Sequence, residues 1–252
     1  MPYAHIFLLS TIKYTMNTIL KYIQLPFNYS PELLSKELNA LSEQWVMHFN
    51  KAHYDGEWSA LPLRSVDGSL TNVIPANSGE ELFVDTVLMD KCPYMKSILL
   101  DFRCEHKAIR LLKLKPGAVI KEHSDADLCY EQGEARIHVP VITNPQVEFY
   151  IDSERVDMLP GSCWYMNFNL PHRINNFGDT DRVHLVMDIV VNDYVRDMFE
   201  LTAPEKKKFI PVKEKFSASE KQEMIKQLRE LNTEVANQIA TKMEAELSLQ
   251  SQ

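Results

Sequence analysis

Glycine is scarce in this chain, at seven residues in 252. With no low-complexity tract either, that scarcity argues against long disordered stretches. A basic excess is also missing. The formal net charge is -8 and the sequence pI is about 5.5, which speaks against a nucleic-acid partner, because phosphate binding needs basic patches. The four cysteines, Cys92, Cys104, Cys129 and Cys163, show no C-x-x-C spacing. They read as reduced thiols of a cytoplasmic protein. Long apolar runs are lacking too. Ile6-Phe7-Leu8-Leu9 has no positive segment before it and is far too short to span a membrane. Met16-Asn17-Thr18 offers an alternative start, so residues 1–20 read as an uncertain N-terminal extension.

What is present suffices for a sizeable core. The apolar share is 45%, and the length suggests one domain plus an appendage. Ser30-Pro31-Glu32 is a helix start, with Ser as N-cap and Pro at the first helical position. Leu34, Leu38, Leu41 and Trp45 then form a 3.6-period stripe, predicting a helix to about His48. A second helix is expected from Glu81 to Cys92. From Ala108 to Val191 the pattern changes to short alternating runs separated by Pro116-Gly117, Asn144-Pro145 and Pro160-Gly161. Strands are expected at Ile109–Lys115, Val119–His123, Arg136–Thr143, Val147–Ile151, Arg155–Met158, Cys163–Phe168 and Arg182–Val191. Such spacing suits a small barrel or jelly roll with a ligand cavity inside. After Phe199 the composition shifts. Pro204 and Lys206-Lys207-Lys208 look like a linker, and Ser217-Ala218-Ser219-Glu220 resembles a capping box. Met224, Leu228, Leu231, Val235, Ile239 and Met243 continue as one helical stripe, which could dock on the barrel, cover its mouth or pair two copies as a homodimer. The expected division is residues 1–20, a domain over 21–200, and a linker with a helical appendage over 201–252.

Chemistry concentrates in three places: His123-Ser124-Asp125, His172 and Arg182. On a strand, residues i and i+2 share a face, so His123 and Asp125 can bite one ion while Ser124 points away. Two imidazoles and one carboxylate are the donor set of non-haem Fe(II) oxygenases, which keep the remaining positions open. Around Arg182 the run alternates, with Val183, Leu185, Met187 and Ile189 on one face and Arg182, His184 and Val186 on the other. An inward arginine without a local acid calls for an anion, and a guanidinium fork grips a carboxylate bidentately. Each piece alone is weak. Eight His and 14 Asp in this length predict roughly 0.4 chance His-x-Asp matches, and a second one exists at His53-Tyr54-Asp55. Gly56 follows that one and no alternation surrounds it, so it reads as loop. Of the eight histidines, His172 is the one with an arginine ten residues on. A lone strand histidine is usually a satisfied core or surface residue, and zinc also accepts His and Asp ligands; the conjunction is what favours iron.

These segments resemble the aspartyl/asparaginyl β-hydroxylase family of 2-oxoglutarate-dependent oxygenases, over roughly Tyr22 to Phe199. The resemblance rests on Leu114-Lys115-Pro116-Gly117, His123-Ser124-Asp125, Arg136-Ile137-His138-Val139-Pro140, Gly161-Ser162-Cys163-Trp164-Tyr165, Pro171-His172-Arg173-Ile174-Asn175-Asn176 and Arg182 to Asp188. Trp45, His48-Phe49-Asn50 and Tyr54-Asp55-Gly56-Glu57-Trp58 look like the family's N-terminal region. The resemblance implies a double-stranded β-helix that hydroxylates an unactivated C–H bond. It implies Fe(II) held by His123, Asp125 and His172. It also implies 2-oxoglutarate chelating that iron, with its 5-carboxylate on Arg182, and O₂ as oxidant. Arg136 and His138, two apart on one face, are expected near the cosubstrate; the bland alternatives are a surface salt bridge and a core polar contact. The best-known vertebrate members act on protein domains and lack the carboxylate ligand. With Asp125, this chain looks closer to small bacterial members of the proline cis-hydroxylase kind, which favours a free amino acid or derivative as substrate. Arg64 is a candidate for a substrate carboxylate, near Trp58, although a surface arginine is the ordinary reading. Three rival functions stay open: the same chemistry on a protein or lipid side chain, a non-enzymatic cupin-like binding protein, and a zinc hydrolase.

Overall fold

The alternation along the middle of the chain becomes two packed sheets in a computed structural model, which describes residues 18–42, 45–75, 82–125, 128–211 and 217–249. The strands are β1 (Thr18–Asn28), β2 (Val46–Met47), β3 (Tyr54–Asp55), β4 (Trp58–Val66), β5 (Phe83–Asp85), β6 (His106–Leu114) and β7 (Val119–His123). They continue with β8 (Glu134–Ile142), β9 (Val147–Ile151), β10 (Glu154–Arg155), β11 (Ser162–Met166), β12 (His172–Asn176), β13 (Arg182–Val190) and β14 (Lys207–Pro211). Among the described residues, the larger sheet runs β14-β1-β11-β8-β13-β6-β4-β2, with β5 beside β4. The smaller runs β10-β9-β12-β7-β3. The pair makes a jelly roll of the double-stranded β-helix type.

The central strands of the larger sheet are buried on both faces, and that sorts their side chains. On β13, Val183, Leu185, Met187 and Ile189 join Ile137 and Val139 of β8 and Ile109 and Leu111 of β6 in one core. The helices α1 (Pro31–Ala40), α2 (Pro93–Ile98) and α3 (Asp193–Leu201) cover it with Leu34, Met95, Ile98, Val195 and Phe199. On the opposite face Val186, Leu112 and Leu114 meet Ile120, Phe149, Ile151 and Ile174 of the smaller sheet. The polar members of that second face, among them Arg182, His184 and Asp188, are thereby forced between the sheets.

Several expectations need correction. The first helix has its Ser30 cap, whose hydroxyl accepts from the Leu33 N–H at 3.2 Å, but it ends at Ala40. Leu41 is already extended; it and Trp45 still pack on the core from non-helical chain. No α-helix forms among the described residues of 81–92, which hold a short 3-10 turn at Met89–Lys91. Phe83–Asp85 instead pairs with the edge of β4, with Arg64 opposite Asp85, and the helix begins only at Pro93. Sheet pairing overrides local propensity there. His53-Tyr54-Asp55 is not simple loop: a short 3-10 turn over Lys51–His53 leads into β3, which pairs with β7 at Tyr54 and Ile120. Lys207 and Lys208, expected in a linker, begin β14, beside β1. The strand at His172–Asn176 and the one beginning at Thr18 were not legible from alternation.

Residues 18–210 form one compact body, and the described part of the remainder is a helical hairpin. The capping box at Ser217 and Glu220 is present. The single long helix, however, breaks into α4 (Ala218–Leu231) and α5 (Glu234–Leu249), with Asn232 left-handed at φ 46°. Arg229 pins the two together through Asn237, Thr241 and Glu244. No described helix is long and apolar enough to cross a membrane, and Cys92, Cys104, Cys129 and Cys163 form no disulfide with one another.

Candidate metal centre

Antiparallel pairing of β7 with β12 places His172 directly opposite His123, with ring centroids 4.3 Å apart. Asp125 follows two residues after His123, its backbone N–H held by the Phe168 carbonyl at 2.9 Å. One ligand atom from each of His123, Asp125 and His172 lies within 4.8 Å of the others. Among the described residues this is the group of three or more such side chains that could share an ion. Each imidazole is oriented from behind. His123 Nδ1 lies 2.7 Å from the Lys121 carbonyl and His172 Nδ1 lies 3.0 Å from the Leu170 carbonyl. A carbonyl only accepts, so both Nδ1 atoms carry the proton and both Nε2 lone pairs are free for a cation. Burial and the neighbouring His123 push His172 down to about 4, which keeps it the neutral donor a metal requires.

The carboxylate is aimed by a chain of charges. Arg136 Nη1 donates to Asp125 Oδ2 at 3.0 Å, leaving Oδ1 on the side of His123 Nε2, 3.7 Å away. Arg136 is itself held by Asp188, through Nε at 2.6 Å and Nη2 at 3.0 Å. Asp188 also accepts from Arg110 Nη2 at 2.7 Å. Burial alone would raise the Asp188 carboxyl, yet the Arg136 and Arg110 guanidinium groups hold it below the usual carboxylate value. The pairs are buried, so the surface salt bridge considered for Arg136 is not what forms.

Arg182 differs from both arginines. It is 2% exposed, and its Nη2 donates to His184 Nδ1 at 3.0 Å. Its Nε has no partner among the described residues. Asp188 shares its strand face but is occupied by Arg110 and Arg136. Burial, opposed by no nearby carboxylate, lowers Arg182 to about 9. His184, well below its ordinary value through burial and the Arg182 charge, is a neutral acceptor. His138 Nδ1 lies 3.3 Å from the same His184 nitrogen, so it donates, and its Nε2 is left as an unpartnered buried acceptor.

All of these groups except His184 line one cavity of about 380 Å³. Trp58 lines it, with His48 stacked on the indole at 3.5 Å. Phe168 lies edge-on to His172 at 4.7 Å. His53, discounted from the sequence, also lines the cavity, its ring 4.6 Å from that of His123. Arg110 was missed altogether. Its signal was available: it alternates with Leu112 and Leu114 on the inward face of β6, as Arg182 does on β13. Its Nε is buried without a partner. Arg64 is the candidate that fails. It lies outside this cavity, its guanidinium paired with Asp85 at 2.7 Å and with the His106 carbonyl at 3.1 Å.

Comparison with known proteins identifies relatives of the chain. A curated relative, L-proline cis-4-hydroxylase of Rhizobium meliloti (strain 1021), is 27% identical over 160 residues, 62% of this chain and 55% of that protein. The chain therefore matches about half the length of that relative. Among solved structures it resembles the 2OG complex of a viral collagen prolyl hydroxylase from Paramecium Bursaria Chlorella virus-1, at TM-score 0.42 and 11% identity, covering 68% of this chain and 96% of that one. A Pseudomonas putida prolyl-4-hydroxylase gives TM-score 0.42 and 10% identity over 69% and 94%. Scores this low carry no inference about activity. The match that decides is to a family model: residues 30–191, from the cap of α1 to just past β13, fit the family described as Aspartyl/Asparaginyl beta-hydroxylase, and the chain belongs to that family.

Proposed function

We propose that this protein is an Fe(II)- and 2-oxoglutarate-dependent dioxygenase that hydroxylates a free amino acid or a close derivative. One observation carries the reading. The His123, Asp125 and His172 ligand atoms converge on the cavity that also receives Arg182, a buried guanidinium with no acid partner among the described residues. A mixed set of two imidazoles and one carboxylate suits Fe(II) with open positions. An uncompensated buried cation is costly, and a dicarboxylate cosubstrate supplies what it lacks.

When bound, the iron and 2-oxoglutarate with O₂ supply the oxidising power, and the cosubstrate leaves as succinate and CO₂. The chain's part is placement. His123, Asp125 and His172 hold the ion. Arg136, fixed by Asp188, keeps the Asp125 carboxylate turned toward it. Arg182 pairs with the distal carboxylate of the cosubstrate, and His138 lies beside it with a free Nε2. Phe168 and the Trp58–His48 stack exclude water from the walls.

Charge supports a carboxylate on the substrate. Among the described residues of the cavity wall three guanidinium groups, Arg110, Arg136 and Arg182, face two carboxylates, Asp125 and Asp188, while Lys107 and Glu134 pair with each other. That leaves one positive charge. A divalent cation and a dicarboxylate cancel, so one positive charge remains for the substrate. The unpartnered Arg110 Nε is the donor suited to an α-carboxylate, in place of Arg64. The named activity of the Rhizobium relative supports a proline-like amino acid.

Anaerobic addition of Fe(II) and 2-oxoglutarate should give a weak visible charge-transfer band. Aerobic incubation with a panel of free amino acids should give a product one oxygen atom heavier, dependent on 2-oxoglutarate. No band and no cosubstrate consumption together would overturn the reading.

A further inference from the structure

A second cavity, of about 430 Å³, lies between the β8–β9 turn at Thr143, Asn144 and Pro145 and the segment 156–160. Val147, Phe149, Val156 and Met158 give it largely apolar walls. Polar residues interrupt those walls. Arg182 and His184 line it as well, and Arg182 is also part of the wall of the metal-side cavity. A single guanidinium thus borders both spaces. It is buried, its Nε is unpartnered, and its one hydrogen bond among the described residues is to a neutral imidazole. The acidic and basic groups at the second cavity's edge are already engaged: Arg155 pairs with Asp157 at 3.0 Å and with Glu148 at 3.6 Å.

We propose that this second cavity binds a small monocarboxylate with an apolar body, its carboxylate on Arg182, and that such a ligand competes with 2-oxoglutarate for that guanidinium. The walls select the body, because apolar surface gains by covering apolar surface and strands unpaired polar groups. The charge selects the head. One cation and one neutral imidazole match a single negative charge, whereas a dianion would keep an uncompensated charge in a buried site. The volume is that of an ordinary small-ligand site. Binding itself is independent of the iron. The competition rests on the role given to Arg182 under the proposed function.

The test uses octanoate and the full metal-free chain in a calorimetric titration. Saturable binding at one site is expected. Arg182→Ala should weaken it at least about tenfold, the loss of a charge-assisted pair, and 1-octanol should bind the wild-type protein at least about tenfold more weakly. Met158→Trp, which fills the cavity, should abolish it. Leu159→Glu, at an exposed rim position with little cost to folding, should weaken it by like-charge repulsion. No saturable octanoate binding overturns the proposal, and so does binding indifferent to both cavity variants, since that would put the ligand in the metal-side space. Anaerobic titration of the 2-oxoglutarate charge-transfer band then tests competition. Octanoate should raise the apparent cosubstrate dissociation constant without lowering the limiting absorbance. A band that forms and ignores octanoate refutes competition. A band that never forms refutes the oxygenase reading and leaves the calorimetric result standing by itself.

Discussion

Arg182 carries a positive charge into a wall whose described acids are engaged by other cations, and the cost of that arrangement makes it the sharpest single-residue test. Arg182→Ala should raise the 2-oxoglutarate KM by the equivalent of about 1.5–3 kcal/mol, with a much smaller effect on kcat. Arg182→Lys should rescue only part of the loss, because an ammonium cannot reproduce the fork. Steady-state kinetics with varied cosubstrate decide it; an unchanged KM in Arg182→Ala removes the residue from the site. His172→Ala and Asp125→Ala should each abolish turnover and the charge-transfer band while leaving the fold intact by circular dichroism. Strong activity in either variant would dismiss the three-ligand centre. Residue types announced much of this. His-x-Asp, the second histidine and the inward arginine are short-range patterns that strand alternation makes readable. Arg110 obeyed the same rule and was passed over. His53 gives no such signal, because Gly56 three residues on reads as loop chemistry, and only the β3–β7 pairing brings its ring against His123.

The elements that matter most for the site are β7 and β12, because their register alone sets His172 against His123. A slip of one residue would turn one histidine to the other face. Tight turns hold the surrounding strands in place. At Gly161, φ is 78°, its N–H donates to the Pro140 carbonyl, and its own carbonyl receives the Tyr29 N–H. A Cβ there would collide with the Tyr29 carbonyl oxygen. Gly161→Ala should therefore destabilise the protein by more than about 1 kcal/mol, from both the left-handed backbone and the clash. A lowered urea midpoint with an unchanged m-value is the expected readout; an unaltered midpoint would contradict this account of the turn. Local patterns failed where long-range pairing took over. Residues 83–85 read as helix and became an edge strand on β4. The C-terminal stripe read as one helix, and Asn232 in a left-handed conformation breaks it into two.

Taken as a whole, the molecule is acidic, yet the space between its sheets is rich in guanidinium groups and neutral imidazoles. Burial, first of all, holds His48 near 3 and His172 near 4 in the metal-free protein, and keeps His138 and His184 well below 6.5. An unfolded chain takes up protons on these side chains below about pH 6.5, and the folded chain does not. The stability they permit is therefore full above that pH and declines as the pH falls through the window from about 6.5 toward 4, by at most about 1.4 kcal/mol per pH unit for each histidine. Urea midpoints of the metal-free protein should hold nearly level from about pH 7.5 to about pH 6.5 and drop steadily from there to about pH 5. A flat profile would mean that these imidazoles are not held neutral. The amino-acid sequence by itself determined which residues could ligate and which strand faces they occupy, because side-chain direction along a strand is a local, two-residue property. Only the tertiary structure decided that β12 lies against β7, that Asp188 is consumed by Arg110 and Arg136, that Arg64 is spent on Asp85, and that Arg182 is left without an acid. Those outcomes depend on which distant segments pair, and neither periodicity nor spacing carries that information.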